Sequence, residues 1–200
     1  MLASFIEVDG RPYSLELVKR IKSDDMFERE NVLNQLLVRN RQVYTDSLTK
    51  VFNRRYCDDR LRRLSGEYAL AMIDIDNLKQ INDRFGHPAG DTAIYHTAQA
   101  IRAILRSQDE LVRYGGDEFL LLFHSLPQNI LRRKLEDICR AVRALRVADL
   151  PELRITVSIG GVYAAGQISE LVEKADLALY RAKAQKDSAV LYEEDFHDSE

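Results

Sequence analysis

The stretch Arg113-Tyr114-Gly115-Gly116-Asp117-Glu118-Phe119 connects two short apolar segments. A Gly-Gly pair in this setting predicts a two-residue turn between antiparallel strands. Such a turn lets a ligand come close to the backbone of Gly115 and Gly116, and the acids Asp117 and Glu118 follow immediately. The sequence therefore predicts a β-hairpin whose turn carries two carboxylates.

A second acidic strand end lies upstream, where residues 68–76 read Tyr-Ala-Leu-Ala-Met-Ile-Asp-Ile-Asp. Side chains alternate along a strand, so Asp74 and Asp76 point to the same side at the sheet edge. Asp76 by itself is better explained as the cap of a helix starting at Asn77, whereas burying the Asp74 carboxylate is costly unless a cation or a hydrogen-bond donor compensates it. If the hairpin lies beside this strand, Asp117 can share a hard cation such as Mg²⁺ or Mn²⁺ with Asp74, with substrate phosphates and waters completing its shell; the Gly-Gly-Asp-Glu stretch by itself also fits a hairpin whose acids face solvent.

The rest of this region alternates between helical and extended patterns. Helices are predicted at 53–64, 78–85, 89–105, 128–146 and 168–184, and strands at 68–76, 111–114, 118–123, 154–163 and near Val190. Adjacent strands joined by a tight turn, together with crossover helices, indicate an α+β sheet with a covered face. We expect this domain to span 46–195, followed by a tail at 196–200.

The first 45 residues have a different pattern. Alternating residues around Asp9-Gly10 predict a short β-hairpin, which is either the last piece of a domain mostly missing here or a small ornament packed on its neighbour. Residues 24–45 predict a helix with an apolar stripe. That stripe either pairs with a second copy of the helix in a dimer or packs on its own domain.

Composition excludes several classes of function. The chain has 200 residues and a net charge of −3, which gives no general attraction to nucleic acid or anionic membranes. Its two cysteines, Cys57 and Cys139, suit neither a disulfide framework nor a zinc site and favour a reducing cytoplasm. The apolar runs are too short to cross a bilayer, and no signal-peptide pattern follows Met1. We therefore expect no nucleic-acid partner, no membrane segment, and a compact pocket whose donors are placed locally.

Together, the motifs resemble those of the GGDEF family of diguanylate cyclases. The hairpin stretch is accompanied by DSLTKVFNRR at 46–55, DIDNLKQINDRFGHPAGD at 74–91, TVSIG at 156–160 and ADLALYRAK at 175–183, in family order. The resemblance implies a palm-like α+β fold of the nucleotide-cyclase or ferredoxin-like kind, with a mainly antiparallel central sheet flanked by helices. An N-terminal hairpin and helix would precede it.

The resemblance also implies an activity, the condensation of two GTP molecules into cyclic di-GMP with release of two pyrophosphates. Each domain would be a half-site holding one GTP, so that a homodimer is required. The implied metal ligands for Mg²⁺ or Mn²⁺ are Asp74, the Ile75 carbonyl and Asp117. The implied catalytic groups are Asp117, Glu118 and Lys79, and the implied substrate contacts are Asn82, Asp91, His87, Lys79, Lys183, Gly115 and Gly116. An amide and a carboxylate at Asn82 and Asp91 match the guanine edge and reject adenine.

Two further features, the RxxD motif and residue 187, bear on regulation and affinity. Arg106 and Asp109 have the spacing of the family's product-inhibition motif, RxxD, although Arg and Asp three residues apart are also common at helix ends. Asp187 stands where the family usually has an arginine that contacts phosphate. A carboxylate there would repel a triphosphate unless Lys183 or Lys186 compensates. The alternative function is therefore a non-catalytic module that binds GTP or cyclic di-GMP and signals through its partners.

Overall fold

The structure of the protein is a computed structural model that describes residues 4–8, 11–15, 43–61 and 63–193. The chain divides into two compact units, at 1–42 and 43–200. In the first unit, β1 (Ser4–Val8) and β2 (Arg11–Leu15) pair antiparallel, which confirms the predicted hairpin. The helix predicted at 24–45 lies outside the described residues apart from its last three, of which Val43 and Tyr44 are helical.

The second unit is built on a six-stranded sheet with the order β3-β5-β6-β4-β7-β8. Its three central pairs are antiparallel and its two edge pairs are parallel, as expected for a mainly antiparallel sheet. The strands are β3 (Phe52–Asn53), β4 (Ser65–Ile75), β5 (Glu110–Arg113), β6 (Glu118–Phe123), β7 (Val157–Gln167) and β8 (Ala189–Leu191).

Helices connect these strands. They are α1 (Arg54–Tyr56), which continues as a π-helical turn (Cys57–Leu61), α2 (Leu78–Phe85), α3 (His87–Ile104), α4 (Gln128–Arg143) and α5 (Ile168–Gln185). The helix predicted at 53–64 is thus shorter and partly π-helical. Gly86 separates α2 from α3 with a φ of 85°, a conformation that favours glycine. Among the described residues, no helix has the length and apolarity to span a bilayer.

Both faces of the sheet are covered by helices, as expected for a sheet flanked by helices. Residues 69–75 of β4 are all buried, with odd-numbered positions packing under α3 and α4 and even-numbered apolar positions under α5. A strand with apolar residues on both sides is the expected sequence pattern for a sheet buried on both faces. Asp74 continues the even-numbered row and therefore faces the side of α5.

Helix α5 approaches the sheet very closely at Gly160 of β7. A methyl group on Gly160 would lie 2.1 Å from the Ala175 carbonyl oxygen and 2.1 Å from the Leu179 backbone nitrogen. Only glycine permits this contact between the two backbones. The close approach brings the C-terminal half of α5, which carries Lys183, over the end of β4.

Candidate active site

The two acidic strand ends lie side by side. Asp74 is opposite Glu118 in the β4–β6 pairing, and the Ile75 backbone N–H donates to the Asp117 carbonyl at 3.2 Å. Asp74 is 8% exposed, so its carboxylate is largely withdrawn from water. The hairpin therefore does lie beside the Asp74 strand, which was the condition for a shared cation.

A lysine from α5 lies within this acidic cluster, which we define as Asp74, Asp117 and Glu118. Lys183 Nζ is 2.9 Å from Asp74 Oδ2. Burial raises the pKa of Asp74, and the charges of Asp117 and Glu118 raise it further, against the opposing effect of Lys183. Burial disfavours the charged form of Lys183, but its hydrogen bond to Asp74 and the three carboxylates raise its pKa. Three acids thus share one ammonium group.

The donor chemistry of the acidic cluster fits a hard divalent cation. In residues 43–61 and 63–193, no three His, Cys, Asp or Glu side chains are arranged as a complete metal-binding group. Mg²⁺ and Mn²⁺ do not require one, because they commonly take one or two carboxylates and fill the other positions with phosphate oxygens and water. Burial and, after it, the neighbouring carboxylates raise the pKa of Asp74, and such an ion would stabilise its ionised form.

Asp76 has a structural role that differs from the one predicted. Its carboxylate accepts hydrogen bonds from Ser158 Oγ and Thr156 Oγ1, both at 2.6 Å, and from the Asp187 backbone N–H at 2.9 Å. The prediction that Asp76 caps α2 is wrong, since Asn77 is the N-cap residue and makes no side-chain capping bond. Asp76 instead joins the end of β4 to β7 and to the residues after α5.

The hairpin loop is longer than predicted. Residues 114–117 connect β5 to β6, and the Tyr114 backbone N–H donates to the Glu118 carbonyl at 2.8 Å, so the predicted two-residue turn is wrong. A methyl group on Gly115 would lie 2.6 Å from Glu118 Oε2, whereas one on Gly116 would have no neighbour within 4 Å. The absence of a side chain at Gly115 thus makes room for the Glu118 carboxylate. The space beside Gly116 is open, so a ligand can approach there.

Arg113 links the hairpin loop to Asp46, which lies near the start of the domain. It donates to the Gly116 carbonyl at 2.8 Å and to Asp46 Oδ1 at 3.2 Å. The Asp46 carboxylate also accepts from the Thr49 backbone N–H at 2.8 Å and from Thr49 Oγ1 at 2.6 Å. Burial opposes ionisation of Asp46, yet the bonds from Thr49 and Arg113 hold its pKa below the usual value. Sequence reasoning missed this contact, because its two ends are 67 residues apart.

The two residues predicted to bind guanine lie close together. Asn82 of α2 packs against Gly90 of α3, where a methyl group would lie 1.9 Å from Asn82 Oδ1. Asp91, the next residue, is exposed, as is His87 at the start of α3. Asn82 Oδ1 is buried and has no hydrogen-bond partner within the described structure. Leaving a buried acceptor unpaired costs about 1–3 kcal/mol, which an N–H group of a ligand would recover.

The two lysines predicted near the phosphates lie on different helices. Lys183 extends from α5 into the acidic cluster. Lys79 is exposed in the first turn of α2, which begins three residues after the end of β4. Both therefore flank the segment that joins β4 to α2.

The RxxD motif forms a tight turn between α3 and β5. Asp109 accepts hydrogen bonds from the backbone N–H groups of Arg106 at 3.0 Å and His124 at 3.3 Å. Arg106 itself is exposed. The motif is at the end of β5 remote from the hairpin loop, and a four-residue strand is about 13 Å long. Asp109 thus stabilises its own turn, while the Arg106 guanidinium is accessible to a ligand.

The chain matches the family model described as "Diguanylate cyclase, GGDEF domain" over residues 43–189. A probable diguanylate cyclase, DgcC of Escherichia coli, is 34% identical over 148 residues, which is 69% of this chain and 40% of the relative. The chain therefore spans less than half the length of that relative.

Solved structures show the same fold. The coiled coil and GGDEF domain of DgcB from Caulobacter crescentus, in complex with c-di-GMP, is 30% identical with a TM-score of 0.75 and covers 84% of this chain and 96% of that one. The diguanylate cyclase SiaD from Pseudomonas aeruginosa, in complex with its activator SiaC, is 35% identical with a TM-score of 0.73 and covers 84% of this chain and 68% of that one.

Proposed function

This chain belongs to the GGDEF family of diguanylate cyclase domains, and on that premise we propose that it condenses two GTP molecules into cyclic di-GMP and releases two pyrophosphates. The observation that carries the proposal is the convergence of Asp74, Asp117, Glu118 and Lys183 on one side of the sheet. An acidic cluster with one buried carboxylate, Asp74, two partly exposed ones, Asp117 and Glu118, and one lysine as counter-charge suits a reaction of metal-bound phosphates better than it suits a structural role.

Asp74 and Asp117, with the backbone carbonyl of Ile75, are the proposed ligands of Mg²⁺ or Mn²⁺. When bound, such an ion supplies charge neutralisation and alignment of the phosphate oxygens. Glu118 lies opposite Asp74 and adds to the negative potential at that position. The proposed role of Lys183 is to offset negative charge on the phosphates, and Lys79 has the same role from the first turn of α2.

Guanine recognition is assigned to Asn82 of α2 and Asp91 of α3. Asn82 Oδ1 lacks a partner and would accept a guanine N–H, while the exposed Asp91 carboxylate would accept a second one. His87, exposed at the start of α3, is the third proposed guanine contact. Adenine lacks these N–H donors and would leave both acceptors unpaired, which is the basis for the expected selectivity.

In each condensation the 3′-oxygen of one GTP attacks the α-phosphorus of the other. A new P–O bond forms, the bond between the α-phosphorus and the bridging oxygen breaks, and pyrophosphate leaves. Asp117 is the proposed acceptor of the hydroxyl proton. A second identical condensation closes the ring.

Two features of the proposal concern assembly and regulation. One domain holds one GTP, so that two domains must face each other, and the helix predicted at 24–45 is the proposed means of pairing them. Arg106 and Asp109 form the proposed inhibitory site for cyclic di-GMP. The relative DgcB was solved in complex with c-di-GMP, which supports the fold's ability to bind that molecule.

The alternative is a binding module without turnover, and Asp187 is the residue that favours it. Its negative charge would oppose a triphosphate. However, Asp187 forms an ion pair with Arg143 on α4, which removes most of that objection.

The test is a product assay. Purified protein with GTP and Mg²⁺ or Mn²⁺ is expected to form cyclic di-GMP, identified by chromatography and mass spectrometry. Asp117→Ala is expected to abolish turnover and Asp117→Glu to retain part of it, because Glu keeps a carboxylate. Tight GTP or cyclic di-GMP binding without any product would support the binding module instead.

A further inference from the structure

Two lysines at the end of α5 contact the segment that joins β4 to α2. Lys183 Nζ lies 2.9 Å from Asp74 Oδ2, and Lys186 Nζ donates to Asn77 Oδ1 at 2.7 Å. The two ammonium groups therefore contact the two ends of segment 74–77. Lys183 is already engaged by a carboxylate, whereas Lys186 is bound to a neutral amide.

The side chain of the next residue, Asp187, is bound by α4 and not by segment 74–77. Arg143 Nε of α4 donates to Asp187 Oδ2 at 2.5 Å, and a second Arg143 nitrogen donates to the Asp187 carbonyl at 3.4 Å. The Asp187 backbone N–H donates to Asp76 Oδ2. The carboxylate is thus neutralised by α4, while its backbone is held at the end of β4.

The backbone at Lys186 and Asp187, which directs these two side chains to different elements, has an unusual conformation. Lys186 and Asp187 have φ angles of 55° and 46°, a left-handed region that residues with side chains rarely adopt. The turn is held by hydrogen bonds from the Lys186 N–H and from Ser188 Oγ to the Ala182 carbonyl, at 2.9 and 3.1 Å. Strained backbone that the surrounding structure maintains is most often found at functional sites.

We propose that Lys186 is a second triphosphate-binding cation beside Lys183, and that Arg143 is a positioning residue that keeps the Asp187 carboxylate away from the bound phosphates. The inference rests on the proposed function, since GTP supplies the triphosphate. An ammonium bound to an amide oxygen can exchange that bond for a stronger one to a phosphate oxygen. Asp187 would cancel this charge if Arg143 did not hold it.

Lys186→Gly is the informative variant, because glycine suits the positive φ and removes the whole lysine side chain, including its ammonium, without straining the backbone. We expect the KM for GTP to rise about tenfold, which is the usual effect of losing one charge-assisted hydrogen bond. The kcat should stay within about twofold, and the affinity for guanosine should not change. Lys186→Arg should retain a KM near that of the wild type. Lys174→Ala is the matched control on the same helix, since its ammonium lies 5.6 Å from the centre of the Tyr192 ring.

Arg143→Gln frees Asp187 and should also raise the KM for GTP, and adding Asp187→Asn should restore it. If the wild type forms cyclic di-GMP but neither Lys186→Gly nor Arg143→Gln changes the KM, this inference is overturned and the proposed function stands. If the wild type has no turnover, the proposed function fails, and calorimetric titration decides the inference. Weaker GTP binding by Lys186→Gly, with unchanged guanosine binding, would support it, and equal GTP affinity would overturn it.

Discussion

Asp74 Oδ2 and Lys183 Nζ lie 2.9 Å apart, so that a protein cation contacts the carboxylate proposed to bind the metal. Removing this ammonium leaves three carboxylates without their counter-charge. We therefore expect Lys183→Met to bind Mn²⁺ about three- to tenfold more tightly in the absence of nucleotide. The affinity can be measured from the electron paramagnetic resonance signal of free Mn²⁺. The same variant should lose GTP turnover, and an unchanged or weaker Mn²⁺ affinity would contradict the electrostatic argument.

Gly90 provides the space that Asn82 occupies. Gly90→Ala should gain helix propensity, about 1 kcal/mol, but its methyl group must displace the Asn82 side chain. We expect thermal stability close to that of the wild type and a loss of GTP affinity of about tenfold or more. Asn82→Ala should have the same effect, and the double variant should be no worse than Asn82→Ala. Titration with GTP and ATP tests this, and normal GTP affinity in Gly90→Ala would remove Asn82 from the guanine pocket.

The two residues of the RxxD motif should respond differently to substitution. Arg106 is exposed, so Arg106→Ala should leave the free energy of unfolding within about 0.5 kcal/mol and relieve inhibition by added cyclic di-GMP. Asp109 accepts from two backbone N–H groups, so Asp109→Ala should cost about 1 kcal/mol or more of stability. Denaturant unfolding and initial rates measured against added product separate these effects. Equal inhibition of the wild type and Arg106→Ala would rule out the inhibitory site.

Asp46 should make folding sensitive to acid. Its pKa is lowered in the folded state, so its ionised carboxylate contributes stability above the ordinary value of 3.8, and this contribution is lost as the pH falls through the folded-state pKa. Asp46→Asn should cost about 1–3 kcal/mol at pH 7, and the difference from the wild type should shrink below about pH 4. Urea unfolding at pH 7 and pH 3 measures this. A difference that stays constant with pH would mean that the charge of Asp46 is unimportant.

The elements with strong local signals were predicted well from the sequence. Strand β6 and helix α2 have the predicted bounds, because an apolar run and a three- and four-residue periodicity end there at clear boundaries. Strand β3 was missed, since Phe52–Asn53 is too short to show a period. The helix predicted at 53–64 is shorter than expected, because it continues as a π-helical turn that local propensity does not predict.

The sequence motifs proposed candidate site residues, but they did not reveal the partners of those residues. Asp76 was expected to serve its neighbouring helix, yet its three donors come from 80, 82 and 111 residues away in the chain. The pairing of Asp187 with Arg143 spans 44 residues. Such contacts depend on how sheet and helices pack together, and neither periodicity nor spacing reveals them.

The close contact between the backbones of β7 and α5 at Gly160 has a consequence for protein engineering. Because main-chain atoms set the separation of α5 from β7 there, bulky side chains at this contact do not determine where the backbone of α5 lies relative to the sheet. Redesign of exposed positions on α5 other than Lys183 should therefore preserve the backbone geometry beside the acidic cluster, provided that residue 160 stays without a side chain. A methyl group at residue 160 would push α5 away from β7, and the backbone of Lys183 would move away from Asp74 with it.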